Sequence, residues 1–242
     1  MNLSEKDYRK LYQLQDKFLN WWLTLKLPFY LTGGTALGRF YLNHRFSEDL
    51  DFFSNADPAY LKYIAVLKNE ISKKFTVNIQ QSLFNDDYTR LFIAEDDLML
   101  KVEFVNDVES YPGLPIPYQF GSIDQPLNIL SNKLSAIIGR DEPKDVFDLV
   151  HLSLNYSFEW QEIFSITKQK SLINEIDVEQ RLFSFPIDWI ENVNWLIAPI
   201  DTIFFKNSLH QIADDFLLGK TNSLGISKPP IESAKPFLTS ND

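Results

Sequence analysis

Cysteine is absent from all 242 residues, and histidine occurs only three times, at His44, His151 and His210. The first absence excludes disulfides and thiolate metal sites. Three scattered imidazoles make a zinc site a poor expectation. Any metal would be held mainly by carboxylates, a preference that points to Mg²⁺ or Mn²⁺. Long apolar runs are also missing, and nothing approaches the ~18 residues needed to span a bilayer. The amino-terminal stretch MNLSEKDYRKLYQLQDKF is polar and has no apolar signal core. Neither export nor a membrane partner is expected, and the expected location is cytoplasmic. Positive charge is in deficit, with 23 Lys and Arg against 33 Asp and Glu, a formal net charge of −10. This argues against broad charge-driven binding to nucleic acid, but it leaves room for a local basic groove around a specific RNA.

What remains has the balance of a soluble globular protein, 45% hydrophobic and 23% charged, with length for one large domain or two small ones. Leu11, Leu14, Phe18 and Trp22 recur at helical spacing over residues 3–25. Pro28 ends that helix, and Phe29–Leu31 reads as a strand running into a Gly-Gly turn. Thr35–Leu42 reads as helix and Leu50–Phe53 as strand. Asp57-Pro58 starts a helix running to Lys74. Three strands follow at Thr76–Gln81, Thr89–Ala94 and Leu98–Val105, with Asp-Asp pairs at 86–87 and 96–97 as turns. The order is that of a mixed α/β domain. Tyr111–Gln125, with three prolines and two glycines, reads as a linker or crossing segment. Helices are expected at 127–139, 143–154, 159–170 and through 188–218. The predicted division is an α/β domain over 1–120, a helical domain over 121–220 and a polar, loose or draped tail over 221–242.

Only eight glycines occur, yet two stand together in LTGGTALGRFYLNHRFSEDLDFF, residues 31–53. A glycine pair between a strand and a helix lets the backbone approach a ligand closely, and it equally makes a tight turn. Asp49 and Asp51 are i and i+2 on a strand and share one face, while Leu50 and Phe52 point into a core. Adjacent like charges repel unless a cation sits between them, so either a divalent metal or open solvent must resolve the pair. In LMLKVEFV, residues 98–105, Glu103 is flanked by Val102 and Phe104 and shares its face with Lys101. A solvated sheet face explains Glu103 alone. Taken with Asp49 and Asp51 it completes an acid triad on two strands, an arrangement suited to two-metal phosphoryl chemistry.

Gly33-Gly34, Asp49-Leu50-Asp51 and the apolar-flanked Glu103 resemble the DNA polymerase β-type nucleotidyltransferase superfamily. The longer string, from Gly-Gly-Thr-Ala-Leu at 33–37 to His44-Arg45-x-Ser47-x-Asp49-x-Asp51-Phe52-Phe53, is similar to the AbiEii/AbiGii toxin family of bacterial abortive-infection and toxin–antitoxin systems. KLSAIIGRDEPKDVFDL, residues 133–149, resembles the second half of that signature. Lys133 and Arg140 match its basic positions, Asp145 and Asp148 its acids, and Lys144 stands where an arginine is usual. The resemblance covers roughly residues 30–150. It implies an α+β fold, a nucleotidyltransferase-like mixed sheet with helices followed by a C-terminal helical domain. It also implies Mg²⁺ (or Mn²⁺), a nucleoside triphosphate as substrate, an RNA or tRNA acceptor and a cognate antitoxin protein. A small-molecule nucleotidyltransferase of the antibiotic-modifying type and a non-catalytic nucleotide-binding module are the alternatives.

The resemblance assigns Asp49, Asp51 and Glu103 as catalytic metal ligands, with Glu103 orienting or deprotonating the acceptor hydroxyl. Gly33, Gly34 and Thr35 would contact phosphates through amides and a hydroxyl. Ser47 either binds phosphate or caps the start of the strand. Lys133 and Arg140, two helical turns apart, would aim charge at the triphosphate or be solvated. Arg45, Asp145 and Asp148 would support, with Asp148 holding Lys133 or Arg140 by an ion pair.

Overall fold

A computed structural model of the chain describes residues 3–109 and 112–238. Tyr111, at the start of the proline-rich stretch, and residues 239–242 of the polar tail lie outside the described residues. Ser4 begins the first helix, α1 (Glu5–Leu25), with a reciprocal cap in which its hydroxyl accepts from the Asp7 amide and the Asp7 carboxylate accepts from the Ser4 amide. Lys26, at φ 52°, turns the chain out of the helix.

The chain continues through β1 (Tyr30–Thr32) and α2 (Gly33–Leu37), which runs on as a π-helical turn over Gly38–Leu42. Then come β2 (Leu50–Asn55), α3 (Tyr60–Ile71), β3 (Thr76–Val77), β4 (Leu83–Phe84), β5 (Tyr88–Glu95) and β6 (Leu98–Asp107). Two further strands, β7 (Ile116–Tyr118) and β8 (Gly121–Ile123), precede the helices α4 (Pro126–Gly139), α5 (Pro143–Asn155), α6 (Trp160–Lys168), α7 (Glu175–Phe183) and α8 (Thr202–Leu217). Among the described residues the strands form one eight-stranded mixed sheet in the order β3-β5-β6-β2-β1-β8-β7, with β4 beside β5. β2 runs parallel to β6, and β1 parallel to β8. No helix of the described residues is long and apolar enough to cross a membrane.

Strand alternation gives the sheet two chemically different faces. Leu50 and Phe52 of β2 and Leu100, Val102 and Phe104 of β6 are buried. Phe52 and Phe104 stack with ring centroids 5.3 Å apart, and Trp22 of α1 packs 4.8 Å and 5.1 Å from them. The alternate residues, Asp51 and Glu103 among them, face the opposite side, toward α4 and α5.

Two segments that bear on the architecture differ from the sequence expectation. The supposed crossing segment carries the β7–β8 hairpin, which extends the sheet past residue 120. Three-residue strands show no period, but Pro117 suits an edge strand and Gly121, at φ 115°, suits the turn. The helical stretch expected over 188–218 is a short 3₁₀ turn followed by α8, which starts only where the Asp201 carboxylate accepts from the Ile203 and Phe204 amides, each at 3.0 Å. The tail is draped. Its Asn222 amide donates to the Ser153 and Tyr156 carbonyls at 2.7 and 2.8 Å, Ile231 is fully buried, and the Phe237 amide donates to the Phe40 carbonyl at 2.6 Å. One apolar cluster runs from α1 through the sheet into the helices and ends at Ile231.

Ile231→Ala should therefore lower unfolding free energy by about 2–4 kcal/mol, the ordinary cost of emptying a buried aliphatic position. Urea denaturation checks this. A loss below ~0.5 kcal/mol would make the tail a surface decoration.

Candidate active site

The functional face of the sheet opens into a cleft of about 570 Å³, walled by β1, β2, β6 and α4 and by the loops around Arg45 and Arg140. Asp51 lies opposite Glu103 across the parallel β2–β6 pair and opposite Thr32 across β1–β2. Asp49 stands immediately before β2 and enters the same cleft. The register thus brings together all three acids expected from the sequence. Burial raises the Asp51 carboxyl's pKa, and the charges of Asp49 and Glu103 add to the rise. Asp49 is also raised, chiefly by burial, although Lys101 opposes this. Burial pushes Glu103 upward too, but hydrogen bonding from the Tyr88 hydroxyl and the Lys101 ammonium reverses it, so Glu103 stays below the usual range.

Lys101 is the residue that sequence reasoning undervalued. Its ammonium lies 2.8 Å from Asp49 Oδ2 and 3.1 Å from Glu103 Oε2. Its shared face with Glu103 was visible in the alternation of β6, but its contact with Asp49 depends on strand pairing. Among the described residues no group of three or more His, Cys, Asp or Glu side chains gathers as a metal cage. Asp49 and Asp51, which line the same cleft, could hold a Mg²⁺ ion whose oxygen shell substrate phosphates complete.

The glycine pair is required by the site's own side chains. Gly33 sits at φ 69°, and a Cβ there would overlap the Asp51 carboxylate. A Cβ on Gly34 would lie 2.5 Å from Arg45 Nη2 and 3.1 Å from Ser47 Oγ. Both glycines line the cleft, as does Ser47. The Thr35 hydroxyl is buried and donates to the Asp49 carbonyl, which pins the start of β2 to the turn.

Facing the acids is a cluster of cations held by two buried aspartates. Arg45 clamps Asp148 through Nε at 2.6 Å and Nη2 at 2.7 Å. Lys133 bridges Asp145 Oδ1 and Asp148 Oδ2, each at 2.7 Å. Arg140 takes Asp145 through Nε at 2.7 Å and Nη2 at 3.1 Å, with 61% of its side chain exposed at the rim. Arg140 follows the last residue of α4 in extended backbone, φ −155°, so it meets Lys133 through Asp145 and not along one helix face. His44 Nε2 lies 2.7 Å from Asp148, and burial holds its pKa down. Three permanent cations share two acids, leaving the wall one net positive charge. Lys144 reaches Glu48 Oε1 at 3.2 Å, and the Tyr8 hydroxyl donates to the same oxygen at 2.7 Å.

The family described as "Nucleotidyl transferase AbiEii toxin, Type IV TA system" matches residues 20–170. The chain belongs to the AbiEii toxin family. It is thereby a nucleotidyltransferase of toxin type, and every residue of the two walls lies inside the matched AbiEii segment. Solved structures agree in fold. A protein of H. pylori provisionally described as a nucleotidyltransferase is 23% identical, with a TM-score of 0.58 over 89% of this chain and 96% of that one. JHP933 from Helicobacter pylori is 23% identical, at 0.55 over 89% and 94%. MenT4, a nucleotidyltransferase toxin from Mycobacterium tuberculosis H37Rv, is 17% identical, at 0.54 over 87% and 84%. No curated protein matches the chain.

Sequence reasoning passed over Asp124, a buried residue at the end of β8. It accepts from the Thr32 hydroxyl at 2.5 Å and from the Asn128 amide at 2.9 and 3.0 Å, and its own amide donates to the Leu31 carbonyl at 2.8 Å. It thus ties the strand before Gly33 to α4 of this AbiEii fold. A lone Asp ahead of Gln125-Pro126 carries no signal beyond a turn.

Two predictions follow from this geometry. Gly33→Ala should leave a folded protein, destabilised by about 1–2 kcal/mol for the left-handed backbone, yet displace Asp51 and remove activity; melting temperature and turnover measured on one preparation separate the two effects. Asp148→Ala should cost about 3–5 kcal/mol at neutral pH, because Arg45 and Lys133 lose a buried partner. The wild-type Asp148 pKa lies well below the ordinary carboxylate value, burial opposing the shift and Arg45 and Lys133 driving it. Its contribution is therefore complete above the unfolded pKa of ~3.9 and vanishes as pH falls through the folded value. Urea unfolding between about pH 5 and about pH 2 should show a shallower acid decline in the variant than in wild type.

Proposed function

We propose that the protein transfers a nucleoside monophosphate from a nucleoside triphosphate to an acceptor hydroxyl, with release of pyrophosphate. The observation that carries this reading is the pair of opposed walls, Asp49, Asp51 and Glu103 against Arg45, Lys133 and Arg140, across one cleft. A carboxylate edge beside a cationic wall is complementary to a metal-bound triphosphate. A Mg²⁺ or Mn²⁺ ion carried in with the nucleotide would be held by Asp49 and Asp51 and would supply charge neutralisation at the α-phosphate.

The chain's own groups do the rest. Lys133 spends two of its three N–H donors on Asp145 and Asp148 and keeps one for a phosphate oxygen. The exposed Arg140 guanidinium, oriented by Asp145, offers a second contact at the rim. Gly33 and Gly34 bring backbone close beside Asp51, and Ser47 adds a hydroxyl. Glu103, ionised and oriented by Tyr88, accepts the proton of the acceptor hydroxyl as its oxygen attacks the α-phosphorus and the α–β bridge breaks.

Membership in a toxin family supports an RNA acceptor, tRNA first, and a partner antitoxin within the bacterial cytoplasm. Arg140, with 61% of its side chain exposed at the rim, places a positive charge where such an acceptor would approach.

Incubation with each α-labelled nucleoside triphosphate, Mg²⁺ and total tRNA should move label to RNA. Asp49→Ala and Asp51→Asn should each reduce transfer by on the order of 10²-fold or more, the scale on which transition-state electrostatics act. Label moving only to small molecules would favour the antibiotic-type acceptor. Triphosphate binding without transfer to any acceptor, unchanged in both variants, would reduce the protein to a nucleotide-binding module.

A further inference from the structure

The acid set of this cleft already contains a cation. Strand alternation puts Lys101 and Glu103 on the same face of β6, and pairing of Leu50 with Val102 sets Asp49 level with Lys101 on the neighbouring strand. The ammonium that results contacts Asp49 Oδ2 at 2.8 Å and Glu103 Oε2 at 3.1 Å, separations of charge-assisted hydrogen bonds. A two-ion centre built on these acids would need room for a divalent ion beside Asp49 and Glu103, where the ammonium stands.

We propose that Lys101 permanently fills the position between Asp49 and Glu103, so that the site admits a single divalent ion, at the Asp49–Asp51 edge. This rests on the nucleotidyltransferase reading of the cleft and says which of its positions a metal takes. Three features beyond the distances support it. Three ionised carboxylates with one ammonium carry two net negative charges, which one divalent ion neutralises. Asp49 and Asp51, both lining the cleft, suffice with triphosphate oxygens for one Mg²⁺. Lys101 is also held in place, its side chain only 28% exposed and its backbone paired with Phe92 of β5 inside the sheet. A lysine here acts as a positioning residue: it keeps Glu103 charged and aimed while that residue meets the acceptor hydroxyl.

Mn²⁺ titrated into the full-length protein with an α,β-methylene triphosphate analogue, followed by electron paramagnetic resonance, tests the proposal. Wild type should show one bound ion per chain with the spectrum of an isolated Mn²⁺. Lys101→Met and Lys101→Gln should bind two ions with the broadened spectrum of a close pair. The first ion should also bind about tenfold tighter in both, since a positive charge a few ångströms away is gone. Lys101→Arg should keep the wild-type count. Circular dichroism verifies that each variant is folded, and the glutamine and arginine forms guard against an unfolded methionine form. A coupled pair in wild type, equal to that of Lys101→Met, would overturn the proposal while sparing the nucleotidyltransferase reading. Absence of bound Mn²⁺ from every form, with analogue present, would overturn both.

Discussion

Phe52 and Phe104 stack on one face of the β2–β6 pair, and that contact decides what happens on the other. Strand side chains alternate, so burying these rings against Trp22 forces Asp51 and Glu103 into register on the opposite face. A slip of one residue would bury the acids and expose the aromatics. The apolar packing thus imposes an electrostatic problem, with three carboxylates entering one cleft. The raised pKa values of Asp49 and Asp51 express it, and Lys101 relieves part of it.

The cationic wall answers the same problem from the helices. Asp145 and Asp148 are buried and stand one turn apart on α5, and between them they hold Arg45, Lys133 and Arg140. These three cations come from a loop, from α4 and from the residue after it, so the cluster also fastens the helical layer to the sheet. Buried ion pairs contribute little net stability against apolar packing. Their value here is geometric: each guanidinium or ammonium is fixed before any phosphate arrives, so little ordering cost falls on binding. The wall's single net positive charge keeps it attractive to an anion while its members remain paired.

Much of this was legible in the sequence, because local spacing carried it. Asp49 and Asp51 at i and i+2 and Glu103 between two apolar neighbours reported their faces by periodicity. The 133–149 string was instead legible through the family resemblance, and its seven-residue spacing misplaced Arg140, which lies past the end of α4. The Gly33-Gly34 pair was found for a reason that proved incomplete. It makes room for Asp51 and Arg45 as well as bringing backbone to the cleft, a requirement set by residues 11 to 18 positions away. The Thr35 hydroxyl's bond to the Asp49 carbonyl was not legible, because it depends on how the turn meets β2. The β7–β8 hairpin escaped notice since three-residue strands leave no pattern, and for the tail, expected loose or draped, single anchors such as Ile231 gave no sign of which. Lys101 is the instructive case. Its face was readable, but its partner Asp49 lies on another strand, and register is a property of the folded sheet.

The central claim is that the two walls grip a triphosphate so that the α–β bond breaks and the nucleotide moves. The fate of the γ-phosphate tests it most directly. With γ-labelled nucleoside triphosphate and an acceptor RNA, the account predicts acceptor-dependent release of the label as pyrophosphate, with none on the RNA. Label appearing on the RNA, or released as orthophosphate, would mean that the cleft cuts a different bond and would contradict the account.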